Sequence, residues 1–442
     1  MNTNEDQLFI SRLNQHPKLR NRMESLLQVV ENSAGNCIKA DDAERYVIEE
    51  LRKMGSDALH CWADKATQNT EETLRQQQPE LHSNGKKKIC WHTTFGVISV
   101  TESLLRCPSK QFRPFSASAG ISSHCCSLPL QRVLSDFGAD HAFGQVPKKL
   151  HEHYGIEMPV STVVKVTQAH GYNMLQQRKS MPLPIAATSG CLQQIAETDG
   201  CMLPIVTART DEGDKRKNKK LHWSEARLAL AHPQGSVTPK FDATFGGSVD
   251  DAGFALLNCA IAAGFGAQTQ LHGVGDGAPW IAEQTKAKFG AQASYLVDFF
   301  HVCEYLAAAS KTCQPDSPQI WMEIQKSLLK NNEHKVVIDN LYEHLEAVDV
   351  QSEKAPVRAC HRYLSNRPDQ LDYKGAIEKG LPIGSGEIES AHRYVIQQRL
   401  KLPGAWWKAA NVESMLALRV VRANGDWEKY WNNLSTAVAH CH

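Results

Sequence analysis

The chain has no long apolar run, no excess charge of either sign and no ordered set of cysteines, and each lack narrows what it can be. Its longest nearly apolar stretch, residues 252–267, is broken by Asn258 and Gly264 and falls short of the roughly 20 residues that span a bilayer. A buried helix is expected there, and no membrane partner. Lysine plus arginine number 49 against 48 aspartates and glutamates, a net charge of +1. Overall attraction to a polyanion is therefore absent, and any nucleic-acid contact must come from local basic faces. The thirteen cysteines form no Cys-x-x-Cys pair: Cys125 and Cys126 are adjacent, and Cys107 has Lys110 three residues on. Tetrahedral zinc ligation is not expected from that spacing, and the thiols read as buried or incidental. The polar start, Met1-Asn2-Thr3-Asn4-Glu5-Asp6, lacks the apolar core of a signal peptide, which points to a reducing cytoplasm. There is no internal repeat or long low-complexity tract. At 442 residues the chain should form two or three compact units.

Three acidic positions stand out, each in its own short signature: Asp199 in Thr198-Asp199-Gly200, Asp276 in Gly275-Asp276-Gly277-Ala278-Pro279-Trp280-Ile281, and Glu389 in Gly384-Ser385-Gly386-Glu387-Ile388-Glu389-Ser390. Each aspartate follows an apolar, strand-like run and precedes glycine, which predicts a strand ending at a turn with its last side chain at the sheet edge. Glu389 follows a Gly-Ser-Gly loop that feeds a helix over 387–401, with Ser385 a candidate cap. Oxygen ligands suit Mg²⁺ or Mn²⁺, and three converging carboxylates can hold two ions about 3.5–4 Å apart, a geometry for phosphoryl transfer. Glu387 competes for the third place. Residues two apart on a helix point about 200° away from each other, so one of the pair faces the site.

Around these signatures, residues 6–78 carry apolar residues at helical spacing, an arm for DNA or another subunit or else a structural cap. Residues 90–106 alternate as a strand pair. Over 142–170 a helix, a Gly155 turn and a second helix give a helix-turn-helix pattern. Its Ser161, Thr162, Lys165, Gln168 and His170 are expected at the surface, facing phosphates or base edges. Residues 180–189, with Pro182 and Pro184, mark a linker. Strands follow over 192–198, 223–231 and 270–275, and between the first two lies a basic loop with Lys215, Arg216 and Lys217, either a solvated hairpin tip or a grip on the phosphate backbone. A helix is expected over 278–289, and an apolar strand over 295–300. Residues 302–372 look helical throughout. After Glu389, Arg393 and Arg399 interleave with aromatics and are assigned to DNA contact, whereas Trp427 and Trp431 are assigned to the core.

The set Asp-Gly, Gly-Asp-Gly-Ala-x-Trp-Ile, Asp-Phe-Phe-His (298–301) and Gly-Ser-Gly-x-Ile-Glu-Ser resembles the bacterial insertion-sequence transposases of the Asp-Asp-Glu class, in particular their ISKra-type, Mutator-like group. The likeness runs from about Trp91 to Trp431. It implies an α/β fold with a ribonuclease-H-like catalytic domain and an all-α insertion, preceded by a helical and helix-turn-helix region. The implied organisation is 1–85 helical, 86–185 DNA-binding, 186–301 and 384–442 catalytic, and 302–383 the insertion. The implied metal ligands are Asp199, Asp276 and Glu389, with two Mg²⁺ or Mn²⁺ ions. Glu389 is preferred over Glu387 as the glutamate of the Ile-Glu-Ser core. Asp298 would orient the site from behind the ligands, and His301 would cap or hydrogen-bond near the DNA. The implied activity is binding of terminal inverted repeats in double-stranded DNA, hydrolysis at the element's end, and attack on target DNA by the freed 3′-hydroxyl, by a homo-oligomer at the nucleoid. A catalytically silent DNA-binding protein and a ribonuclease-H-like host nuclease are the alternatives.

Overall fold

A computed structural model describes residues 3–31, 39–108, 110–122, 124–180, 189–208 and 219–440. The chain divides into two compact units, Met1–Thr167 with Lys429–His442, and Gln168–Glu428. Among the described residues no helix is long and apolar enough to cross a membrane.

In the first unit, helices Thr3–Asn14, Pro17–Glu31 and Ala40–Gln77 precede a three-stranded antiparallel sheet of β1 (His82–Thr93), β2 (Gly96–Cys107) and β3 (Lys110–Phe112). Alternation along the hairpin places Ile89, Ile98 and Val100 inward, where they pack with Ala63, Phe115 and Ile121. Next come helices Leu128–Asp140 and Val146–Tyr154 and the start of Val160–Ser180. They share a core of Leu130, Leu134, Val146, Leu150, Ile156, Met158 and Val163. Gly155, at φ 64, ends the second of these helices in the left-handed conformation that glycine adopts without strain. The expected helix-turn-helix elements are therefore present. Ser161 and Lys165 are exposed and Thr162 is half-buried. His170 is not at the surface as expected: it is buried, and burial pushes its imidazole down to about 4.

The second unit is a mixed α/β fold. Its five-stranded sheet comprises β4 (Gln193–Ala208), β5 (Lys219–Pro233), β6 (Lys240–Phe245), β7 (Gln270–Gly275) and β8 (Ala293–Val297), in the order β6-β5-β4-β7-β8. The pairs β4/β5 and β5/β6 are antiparallel, and β4/β7 and β7/β8 are parallel. The apolar run near 252–267 is the helix Val249–Ala262, started by a Ser248–Asp251 capping box. It buries Ala255, Leu256, Cys259 and Ala260 against Ala196, Ala229 and Leu271 of the sheet.

Helices Phe299–Cys313, Pro318–Lys330, His334–Tyr342, Pro356–Ser365 and Tyr373–Glu378 follow β8, as the helical character of 302–372 suggests. Their core, with Val302, Leu306, Trp321, Leu329, Val337, Leu341, Val357, Cys360 and Leu364, is continuous with Leu296 and Val297 of β8. The helical segment is thus packed onto the sheet by apolar burial.

Two local expectations fail. Asp199-Gly200 is no turn: β4 runs through it to Ala208, with Asp199 opposite Leu228 and Gly200 opposite Arg227. Glycine serves a different purpose here, since a Cβ at Gly200 would collide with the Glu225 carboxylate lying over it. Likewise the apolar run 295–300 is not one strand. β8 ends at Val297, and Asp298 caps the helix Phe299–Cys313 by accepting the Phe300 and His301 amides. Buried strand passes directly into buried helix, so hydrophobicity alone carried no boundary.

Candidate functional site: carboxylates at a sheet edge

In β4/β7, Glu197 pairs with Val274, and in β7/β8, Gly275 pairs with Val297. Asp199 lies two residues beyond Glu197, while Asp276 and Asp298 directly follow the last residues of β7 and β8, so all three sit at the same end of these neighbouring strands. Asp276 begins a tight turn in which its Oδ1 accepts the Ala278 amide at 2.9 Å. Gly277 there adopts φ +80.

Glu389 is delivered by the helix Gly386–Ala391, which continues as a π-helical segment, His392–Gln397, and a last turn, Gln398–Leu400. Ser385 occupies the N-cap position without capping. Its amide and hydroxyl instead donate to Asp298 Oδ2 at 2.8 and 2.6 Å, while Asp298 Oδ1 accepts Phe300 N–H at 2.6 Å. Asp298 is thus a buried clasp between the helix after β8 and the Gly-Ser-Gly loop. His301, on that helix rather than at a strand end, is partly exposed, with Nδ1 3.8 Å from Glu304. A second buried carboxylate, Glu197, accepts the Ile388 amide at 2.8 Å and ties the first turn of the Glu389 helix to β4. Glu387 is engaged elsewhere, its Oε2 lying 2.8 Å from Nε2 of buried His232 on β5. His392, also buried, approaches Asp199 Oδ2 at 3.5 Å.

Asp199 feels the charge of the other two expected residues. Burial pushes the Asp199 carboxyl up to about 6, and the negative charges of Asp276, Glu225 and Glu389 each push it the same way, against one hydrogen bond from the Gly200 amide. Burial likewise raises Glu197 to about 8, helped by Glu387, Asp298 and Glu389. His392 is held down to about 4, chiefly by burial. Lys401 Nζ is 3.9 Å from Sγ of Cys201, two residues along β4 from Asp199, and Arg227, opposite Gly200 on β5, is paired with Glu225 at 2.6 Å.

Among the described residues, no three or more His, Cys, Asp or Glu side chains are arranged as a ready metal cage. Asp199 and Asp276 each turn one oxygen onto a nearby backbone amide, and Glu389 extends toward solvent. The donor set nevertheless fits a hard cation in its chemistry: it is all carboxylate oxygen, and its mutual repulsion is what a divalent ion would relieve. Rotation of the three carboxylates would be needed to close it.

The other assignments fare unevenly. Arg393 is exposed. Arg399 is not available to DNA, being 2% exposed with its guanidinium 4.9 Å from the Trp407 ring centre. The π segment accounts for this, since its wider turn rotates later residues away from the face a regular helix would give them. Lys215, Arg216 and Lys217, with Pro182 and Pro184, lie outside the described residues. Trp431 is buried and Trp427 half-buried.

A family model described as an uncharacterised protein family, UPF0236, matches residues 267–432. That span is less than half the chain. It contains Asp276, Asp298 and Glu389 but not β4, β5 or β6. No curated protein matches the chain.

Sequence reasoning missed Glu197, Glu225, His232 and His392. Glu197 interrupts an apolar strand run, a polar break that marks it, whereas Glu225 lies among polar residues and carries no such mark. His392 follows Glu389 by three residues, the spacing that shares a helix face.

Proposed function

We propose that the chain is a DNA transposase of the Asp-Asp-Glu class with a ribonuclease-H-like catalytic domain. The observation that carries the reading is the placement of two acids on adjacent parallel strands: Glu197 of β4 pairs with Val274 of β7, and Asp199 and Asp276 each follow by two residues. The sheet supports the same reading, with three antiparallel strands followed by two parallel ones and the first aspartate on the central strand β4. So does the helix that presents Glu389 back to that strand through Ile388.

In this reading Asp199, Asp276 and Glu389 hold two Mg²⁺ or Mn²⁺ ions, which when bound supply the positive charge that phosphoryl transfer requires. Glu197 and Asp298 fix the Glu389 helix and its loop against the sheet. Glu387 lies beside His232 of β5, and Glu389 is taken as the third ligand. The helix-turn-helix, with Ser161, Thr162 and Lys165, and the exposed Arg393 are the proposed contacts to double-stranded DNA carrying terminal inverted repeats. A homo-oligomer would pair two ends.

The test uses DNA taken from the flanks of the gene, labelled and incubated with the full chain and Mg²⁺. Wild type should nick it at a defined end and join that end to target DNA, while Asp199→Asn and Asp276→Asn should bind but not cut. Cutting by both variants refutes the assignment. Cutting without defined ends or joining indicates a nuclease, and binding without cutting by wild type a silent DNA-binding protein.

A further inference from the structure

The turn that carries Asp276 is gripped from the helical segment that follows β8. The Tyr363 hydroxyl donates to the Asp276 carbonyl at 2.6 Å. Arg367 Nε and Nη2 both donate to the Gly277 carbonyl, at 2.9 and 2.7 Å. Arg367 is itself fixed: Nη1 donates to the Tyr363 carbonyl at 2.8 Å, and the guanidinium lies 4.1 Å from the Tyr363 ring centre. Tyr305 stacks on the other side of that network, 4.2 Å from the Tyr363 ring centre. On the opposite flank, the Gly277 amide donates to the Tyr295 hydroxyl at 3.2 Å, and the Ala278 amide to Asp276 Oδ1. Both peptide groups around Gly277 are thereby held at both ends. Gly277 itself is required by the approach, since a Cβ there would lie 2.5 Å from the Tyr363 hydroxyl.

A helix docked only for packing needs apolar contacts, and the helix Pro356–Ser365 already has them through Val357, Cys360 and Leu364. The phenol and the two-pronged guanidinium go further, because they address successive carbonyls of one turn. We propose that Tyr363 and Arg367 are positioning residues: they set the backbone on which the Asp276 carboxylate stands, so that the helical segment after β8 governs the ion affinity of the sheet-edge site. The proposal rests on the reading of Asp276 as a metal ligand. Loss of a group that orients a ligand from behind typically weakens metal binding 10- to 100-fold.

The experiment measures Mn²⁺ binding to the full chain by electron paramagnetic resonance, without DNA, alongside amide hydrogen exchange in the peptide containing Gly277 and Ala278. Tyr363→Phe keeps the ring and its stacking and removes only the hydroxyl; Arg367→Lys keeps the charge and removes the fork. Both should keep the wild-type circular dichroism, bind Mn²⁺ about tenfold more weakly and exchange faster at Gly277 and Ala278. Arg367→Ala should be weaker than Arg367→Lys. If both conservative variants bind and exchange as wild type while Asp276→Asn loses Mn²⁺ binding, the clamp is overturned and the site reading stands. If Asp276→Asn binds Mn²⁺ as tightly as wild type, the site reading falls, and the clamp with it.

Discussion

Glu197 gives a sharp prediction because it is buried, ionisable and only half satisfied. It is 1% exposed; Oε2 accepts the Ile388 amide, and Oε1 has no hydrogen-bond partner among the described residues. Burial, with the charges of Glu387, Asp298 and Glu389, raises its carboxyl from 4.5 to about 8. The folded state therefore holds this proton more tightly than the unfolded state. The group's contribution to stability is complete below pH 4.5 and is lost as pH rises toward 8. Linkage between those two values gives a loss of about 3 to 4 kcal/mol from near pH 5 to near pH 8. Glu197→Gln keeps an oxygen for the Ile388 amide and cannot ionise, so its own contribution is flat across that range. Urea unfolding of both proteins in chelator, at about pH 5, 6.5 and 8, reads the difference, in which groups that titrate alike in both proteins cancel. The variant should gain on wild type steadily as pH rises, by roughly that amount. A difference independent of pH would show that Glu197 is not held protonated by the fold, and would remove the charge crowding from which the site is read.

Gly277→Ala should cost about 1 to 3 kcal/mol from the left-handed backbone alone, and more from collision with Tyr363, seen as a lowered thermal midpoint; an unchanged midpoint would contradict the turn geometry. Asp298→Asn puts an amide group among donors from Phe300, His301 and Ser385, and should destabilise by about 1 to 3 kcal/mol for each group left unsatisfied, measured by the same urea titration. Arg393→Ala should shallow the salt dependence of DNA affinity by about one phosphate contact. Arg399→Ala should instead lower stability, and an equal change in salt slope from both would refute the burial of Arg399.

What could be read from the sequence depended on how far apart the interacting residues are. Asp276 was legible because a short strand, its terminal acid and the Gly277 turn are consecutive. The helix-turn-helix elements and the buried helix Val249–Ala262 were legible for the same reason: periodicity and a positive-φ glycine are local signals. Asp199 was singled out on a turn that is not there, since Gly200 clears space for Glu225 from the neighbouring strand. Nothing within a few residues of Gly200 reports that. The end of β8 was misplaced because burial on both sides of Asp298 erases the change of period. Arg399 was misread because a π segment changes which face later residues occupy, and its hydrogen-bonding pattern leaves no compositional mark.

The carboxylates at the sheet edge divide into two kinds, and the division bears on which of them can act. Asp298 is consumed by the structure: it accepts two amides from its own helix and two donors from Ser385. Glu387 lies beside His232, and one oxygen of Glu197 accepts the Ile388 amide. A group whose lone pairs are already directed at fixed donors cannot turn toward a ligand without leaving those donors bare, at about 1 to 3 kcal/mol each. Asp199, Asp276 and Glu389 are held differently. Each aspartate accepts a neighbouring backbone amide through one oxygen, Asp199 Oδ2 has His392 at 3.5 Å, Glu389 is exposed, and no lysine or arginine pairs with any of the three among the described residues. Their repulsion is left standing where pairing would have been easy to build, with Lys401 already at the edge of the site. That repulsion is explained if these three carboxylates, rather than the fully occupied Asp298, are the ones kept open for a cation.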